Sequence, residues 1–257
     1  MRFGGWFLVG FLLQGCALLP GEKMDAQLIS AFSEQHPDAA PARAPRIRPL
    51  EPRVIEHGER EGNQVALTFD ACSTWAEAKY DPRVIDILRE TGTPATLFLG
   101  GLWMLRHDDV TRELADEPLF ELANHAHSHP DMTTLDNDKI DRELAFTQLA
   151  ALHVYGQQPR LFRPPYVRNN EQLTERAARL GLVTVQYDIA SGDADRKLKP
   201  EAIARDVLSR IRAGSIVVLH MNNPDLPTAE ALPMIIEGLR EKGLEAVKVS
   251  RFAAQNE

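Results

Sequence analysis

From Gln64 to Ser250 the chain alternates short apolar runs with segments of helical period. Compact apolar runs bounded by turns mark buried strands, while apolar positions at i, i+3, i+4 and i+7 mark one face of a helix. VALTFD (65–70) predicts a strand. DPRVIDILRETG (81–92) predicts a helix capped by Asp81, with Pro82 at its first position and Gly92 at its end. ATLFLG (95–100) predicts the second strand, 102–116 a helix, LFELAN (119–124) the third strand, 137–154 a long helix and RLFRPP (160–165) the fourth strand. Leu173, Ala177 and Leu180 share one face of a helix over 170–181, and LVTVQYDI (182–189) is the fifth strand. A helix over 200–214 opens on Pro200, carries Ile203, Val207 and Ile211 at helical spacing, and closes on Gly214. SIVVLHM (215–221), a helical stretch over 228–243 with Leu232, Ile235, Ile236 and Leu239 on one face and its exact start left open by Pro233, and LEAVKVS (244–250) complete the pattern. Seven strands, each but the last followed by a helical segment, define an α/β fold with parallel strands and right-handed crossovers. Periodicity alone leaves a barrel and an open sheet as alternatives.

The polar residues that interrupt this pattern are not scattered. Asp70, His125, Arg163, Asp188 and His220 fall at, or just past, the C-terminal end of a predicted strand. In both architectures that edge carries the active site. The stretch NHAHSHP (124–130) places His125, His127 and His129 within five residues. Imidazole is a common metal ligand because its second nitrogen remains free for an orienting hydrogen bond. His125 and His129 can converge on a helix or a strand, whereas His127 joins them only in extended backbone. No glycine-rich phosphate loop follows any strand, so a nucleotide cofactor is not indicated.

The first residues follow a different pattern. Arg2 precedes an apolar run from Phe3 to Leu13, and LQGC ends on Cys16. Such a run is too short to cross a hydrocarbon core of about 30 Å as a helix, and a secretory signal fits its length and flanks. The LxGC ending resembles a bacterial lipoprotein signal (1–16), in which Cys16 would be lipidated, although Gln14 stands where a small residue is usual. Ala17 after the cysteine hints at outer-membrane sorting within the cell envelope. Residues 17–62 read as a tether. Pro37, Pro41, Pro45, Pro49 and Pro52 alternate there with Arg43, Arg46, Arg48 and Arg53, a pattern of extended, semi-rigid chain, after one short helix in DAQLISAFSEQ. The folded domain is expected over 63–252, with 253–257 as a tail. With 257 residues and 44% hydrophobic content, the chain can bury a core of catalytic size. A net charge of −8 argues against a nucleic-acid partner. Cys72 is the only other cysteine, so acylation of Cys16 would leave no internal disulfide.

TFD (68–70), HAHSH (125–129), RPPY (163–166), DIASGD (188–193) and IVVLH (216–220) occur in the order that characterises NodB-type polysaccharide deacetylases. The resemblance covers roughly residues 64–250. It implies a distorted (β/α)7 barrel that removes acetyl groups from an acetylated polysaccharide with a divalent metal, often zinc. By the same resemblance His125 and His129 bind the metal, Asp70 is the catalytic base and His220 is the general acid. Asp193 pairs with His220, Arg163 orients Asp70, and the Tyr166 N–H stabilises the oxyanion. These roles suit amide hydrolysis, which needs an activated water, a stabilised tetrahedral oxyanion and a protonated leaving amine. A bound zinc lowers the pKa of its water to as little as about 7 and polarises the carbonyl. Asp188 reads as a structural hydrogen bonder, and Trp103 as core or as part of the sugar-facing rim.

One departure stands out. Where better-known members carry a second aspartate as third metal ligand, this chain has Ala71. Catalytic zinc sites usually have three protein ligands. Water fills the gap, or Cys72 supplies a thiolate, or catalysis has been lost and glycan binding kept. TFDAC followed by a helix opening on YDP resembles a variant within the family, which implies activity. The readings are therefore a lipid-anchored deacetylase, a glycan-binding pseudoenzyme on the same fold, and a glycosidase using Asp70 and Asp193. The last leaves the histidines unexplained.

Overall fold

A computed structural model describes residues 22–39 and 46–253; the expected signal, Cys16 and nearly all of the expected tail lie outside the described residues. In order, the chain forms β1 (Glu22–Lys23), α1 (Ala26–Gln35), β2 (Arg46–Ile47), β3 (Val54–Ile55), β4 (Gln64–Ala71), α2 (Pro82–Thr91), β5 (Ala95–Leu99), α3 (Gly101–Arg106) and α4 (Asp108–Asp116). There follow β6 (Phe120–Asn124), α5 (Asn137–Tyr155), β7 (Leu161–Phe162), α6 (Glu171–Arg179), β8 (Val183–Val185) and β9 (Ile189–Ala190). The last elements are α7 (Pro200–Arg210), β10 (Ile216–His220), α8 (Thr228–Glu241), β11 (Glu245–Ala246) and α9 (Ser250–Ala253).

The main sheet runs β3-β8-β7-β6-β5-β4-β10-β9, with β11 added to β4, and every pairing in it is parallel. It curls into the distorted barrel expected from the sequence, with the helices outside. The central strands are continuous apolar runs because both faces are covered. From Val65 to Ala71, β4 is buried along its whole length. Helix α2 ends as its sequence predicts: Asp81 accepts from the Arg83 N–H, and Gly92 takes the left-handed conformation at φ 63°.

Several expectations are corrected. The helix over 102–116 is two helices broken at His107, whose Nε2 lies 2.6 Å from the Ala78 carbonyl oxygen. The strand over 182–189 is split into β8 and β9, because the Gln186 N–H turns to the Ile55 carbonyl. Only Glu245 and Ala246 of the last predicted strand pair with β4, and Ser250–Ala253 are helical. The described part of the stretch expected to be a tether carries packed structure. Phe32 of α1 is fully buried, β3 extends the sheet beside β8, and the Leu50 N–H donates to the Ala178 carbonyl. Composition shows the chain here to be extended; it does not show that extended chain finds a sheet edge to join.

Candidate active site

The C-terminal ends of β4, β6, β7 and β10 bring the predicted residues together. Asp70 and His220 are register partners on adjacent strands. Arg163, immediately after β7, is fully buried and donates from Nη1 to Asp70 Oδ1 at 2.8 Å and to Thr68 Oγ1 at 2.7 Å. Its Nη2 donates to the Gln186 carbonyl at 3.1 Å, and the guanidinium lies over the Phe98 ring, 4.1 Å from its centroid. Burial pushes the Asp70 carboxyl up, but the charge and hydrogen bond of Arg163, with His220 beside them, outweigh it, and the net direction is down. Asp70 is therefore an ionised carboxylate held by a cation that cannot leave.

His125 follows β6 directly. Its Nδ1 donates to the Arg163 carbonyl at 2.8 Å, which leaves Nε2 with a free lone pair, 3.7 Å from Asp70 Oδ2 and 3.7 Å from Cys72 Sγ. The His125 and His129 rings lie 5.1 Å apart. Burial lowers the pKa of both, that of His129 to about 3, so each is a neutral imidazole. Donor atoms of Cys72, His125 and His129 all lie within 4.8 Å of one another. One sulfur and two imidazole nitrogens are a donor set that zinc accepts. Ala71, buried and without a donor atom, contributes nothing to it. The residues present thus fit a divalent cation, with Cys72, one residue beyond Ala71, as the third donor. The thiol's own pKa is raised by burial and by Asp70.

The histidine loop is held open by backbone in a sparsely populated region. Ala126 and His129 have φ of 62° and 61°, and across the site Tyr166 and Val167 have 57° and 54°. These four are the only non-glycine residues with positive φ among the described residues, and all border the site. Such conformations cost roughly 1–3 kcal/mol each and persist where surrounding contacts over-determine them. Glu143 on α5 supplies part of that constraint: its carboxylate accepts from the His127 and Ser128 N–H groups and from Ser128 Oγ at 2.9, 2.8 and 2.6 Å. Asn124 adds a bond from the Ala126 N–H at 2.9 Å. Sequence reasoning passed over both residues. Their only local signal is polarity on an otherwise apolar strand end and helix face.

Because Ala126 turns the chain, His127 does not join His125 and His129. It packs with Phe32, His36, Trp75 and Phe146, its Nε2 3.0 Å from His36 Nε2. Opposite the loop, His220 Nδ1 donates to Asp193 Oδ1 at 2.8 Å, while Asp193 Oδ2 accepts from the His220 N–H at 2.7 Å and from Thr228 Oγ1 at 2.6 Å. Burial lowers the His220 pKa, but Asp193 and Asp70 outweigh it and the net direction is up. Tyr166 is exposed, with its ring 4.8 Å from that of His129. The turn is closed by the Val167 and Arg168 N–H groups on the Pro164 and Pro165 carbonyls, and the Tyr166 N–H takes part in neither bond. Asp188 lies away from the site. It accepts from the Ile216 N–H at the start of β10 and pairs with Arg60, a structural role as expected. Trp103 is fully buried core.

One edge of a curled parallel sheet thus gathers two buried ion pairs and three side chains that could hold a metal. The profile of the polysaccharide deacetylase family matches residues 57–185, and the chain belongs to that family. The peptidoglycan-N-acetylmuramic acid deacetylase PdaA of Bacillus subtilis is 28% identical over 228 residues, covering 88% of this chain and 84% of that protein. A chitooligosaccharide deacetylase of Rhizobium leguminosarum bv. trifolii is 32% identical over 165 residues, covering 64% and 74%. Among solved structures, a CE4 family pseudoenzyme from Bacillus anthracis superposes with a TM-score of 0.71 at 28% identity, covering 79% and 69%. The chain spans 59% of the length of an uncharacterized Bacillus subtilis relative and 30% of a bifunctional xylanase/deacetylase of Pseudobutyrivibrio xylanivorans.

Proposed function

We propose that the chain is a metal-dependent hydrolase that removes acetyl groups, N-acetyl foremost, from a polysaccharide or peptidoglycan-type glycan. The observation that carries this reading is the convergence of the Cys72, His125 and His129 donors beside two buried, charged pairs, Asp70–Arg163 and Asp193–His220. A divalent cation on those three donors, zinc by its taste for sulfur and imidazole, would supply Lewis acidity to an acetyl carbonyl and acidify a water. Asp70 accepts the proton of the attacking water while Arg163 fixes its other oxygen. The Tyr166 N–H, unused by its own turn, donates to the carbonyl oxygen as charge builds there. The C–N bond then breaks as protonated His220, steadied through Nδ1 by Asp193, gives its proton to the departing nitrogen. Acetate and a free amine result.

The same reading places the chain in the bacterial cell envelope, anchored by lipid on Cys16. Labelled palmitate incorporated into the wild type but not into Cys16→Ala supports the anchor. The likeness to a pseudoenzyme, together with Ala71, favours a second reading in which glycan is bound without turnover. Acetate release decides between them. Purified full chain, supplied with zinc or cobalt, is incubated with acetylated chitooligosaccharide, peptidoglycan fragments and acetylxylan, and metal content is measured in parallel. Release that is lost in His125→Ala while glycan binding persists supports the hydrolase. Binding without release by the metal-loaded wild type supports the pseudoenzyme.

A further inference from the structure

The opposite end of the barrel holds a second polar concavity. A cleft of about 890 Å³ opens where β6, β7 and β8 begin, away from the histidines. Its wall includes Arg46, Arg48, Arg53, Arg160 and Lys248, against a single carboxylate, Glu121. That carboxylate is already engaged by Thr96 Oγ1 at 2.8 Å and the Ser250 N–H at 3.1 Å. Among the described residues, Arg46, Arg48, Arg160 and Lys248 stand in no ion pair. Five cations around one cleft on a chain of net charge −8 is a local reversal of sign.

The arginines are set in place by the backbone that carries them. The Arg46 N–H donates to Gln158 Oε1 at 3.0 Å and the Leu50 N–H to the Ala178 carbonyl at 2.9 Å. Gly181, at φ 76°, lets the Arg48 carbonyl approach so closely that a Cβ there would sit 2.8 Å from it. A second observation sharpens the chemistry. Gln148, only 2% exposed, also lines the cleft. Its Nε2 donates to the Pro159 carbonyl, but its Oε1 has no partner. A buried acceptor without a donor is costly unless a ligand supplies one.

We infer that this cleft is a binding site for a phosphorylated sugar, whose phosphate meets the guanidinium groups and whose hydroxyl donates to Gln148. Planar guanidinium forks bind phosphate oxygens in pairs, which an uncharged glycan cannot exploit. The source of the sugar phosphate is either a free polysaccharide or the headgroup of a glycolipid.

Titration of purified full chain with glucose 6-phosphate, glucose and inorganic phosphate, followed by calorimetry, tests the site. Glucose 6-phosphate is expected to bind best, and its affinity to fall as salt rises. The variant R48A/R160A/K248A should bind it at least about tenfold more weakly. Gln148→Met should weaken glucose 6-phosphate but leave inorganic phosphate unchanged. Acetate release from a neutral chitooligosaccharide should be unaltered in both variants, so failure here is separable from failure of the hydrolase reading. Binding to vesicles carrying a phosphorylated glucosamine glycolipid, but not to plain phosphatidylcholine vesicles, assigns the source to a lipid; binding of soluble sugar phosphate alone assigns it to free glycan. Equal affinity of wild type and triple variant, or no preference for the sugar phosphate over glucose, overturns the inference. Thermal unfolding of each variant verifies that it folds.

Discussion

Replacing Arg163 by methionine, which keeps most of the volume over Phe98, isolates the charge at the centre of the site. In the wild type this fully buried guanidinium is the first of the opposing charges that hold the Asp70 carboxyl down against burial. Removing one partner of a buried pair leaves an uncompensated charge, at a cost of about 3–5 kcal/mol. For a domain of this size each kcal/mol lowers Tm by about 2–4 °C, so the fall should be roughly 6–20 °C at neutral pH. The pH dependence separates charge from lost packing. With a depressed folded-state pKa, Asp70 contributes stability in the wild type that is present above the unfolded carboxylate value and lost as pH falls through the folded one. In Arg163→Met burial dominates and the folded pKa rises. The penalty then operates at neutral pH and is relieved as pH falls through the raised value. The difference in urea-unfolding free energy between the two proteins should therefore shrink from about pH 7 toward about pH 5. Adding Asp70→Asn to the variant should restore part of the loss. A difference that stays constant with pH, or one below about 1 kcal/mol, would refute the account.

Four further outcomes can be checked. Cys72→Ala should weaken zinc at least about tenfold in competition with a chromophoric chelator, while Cys72→Asp, which keeps a donor, should retain most of the affinity. Chelation should abolish acetate release, and added zinc or cobalt should restore it; release that survives complete metal removal rejects the metal mechanism. Asp193→Asn removes the interactions that raise the His220 pKa, so the basic limb of the kcat/KM–pH profile should move to lower pH. Glu143→Gln should loosen the loop carrying His125 and His129, seen as about tenfold or more lost metal affinity with the helix content unchanged by circular dichroism.

Much of the scaffold was readable from residue order. The buried runs of β4, β5 and β10 and the capped helix α2 follow directly from apolar spacing, proline and glycine; α7 opens on Pro200 as expected but ends at Arg210, short of Gly214. So does the gathering of Asp70, His125 and His220, because strand ends of a parallel sheet share one edge. What was not readable depends on contacts distant in sequence. The break at His107 depends on its contact with the Ala78 carbonyl, and the split between β8 and β9 depends on the arrival of Ile55. Periodicity cannot report that Ala126 takes a positive φ, and this alone sends His127 into an aromatic pocket instead of toward the other two imidazoles. Cys72 could be named as one of three alternatives, but only folded geometry brings its sulfur within 3.7 Å of His125 Nε2.

The joining of β3 to β8 has a practical bearing on where this chain can be shortened. A truncation beginning at residue 63 would strip the outermost strand and bare the N–H and C=O row of β8, an open template for another molecule to pair with. It would also lift Phe32 and His36 off His127 and expose the apolar wall behind the histidine loop. Such a fragment should self-associate and bind metal poorly, whereas one that starts ahead of Met24 retains both covers.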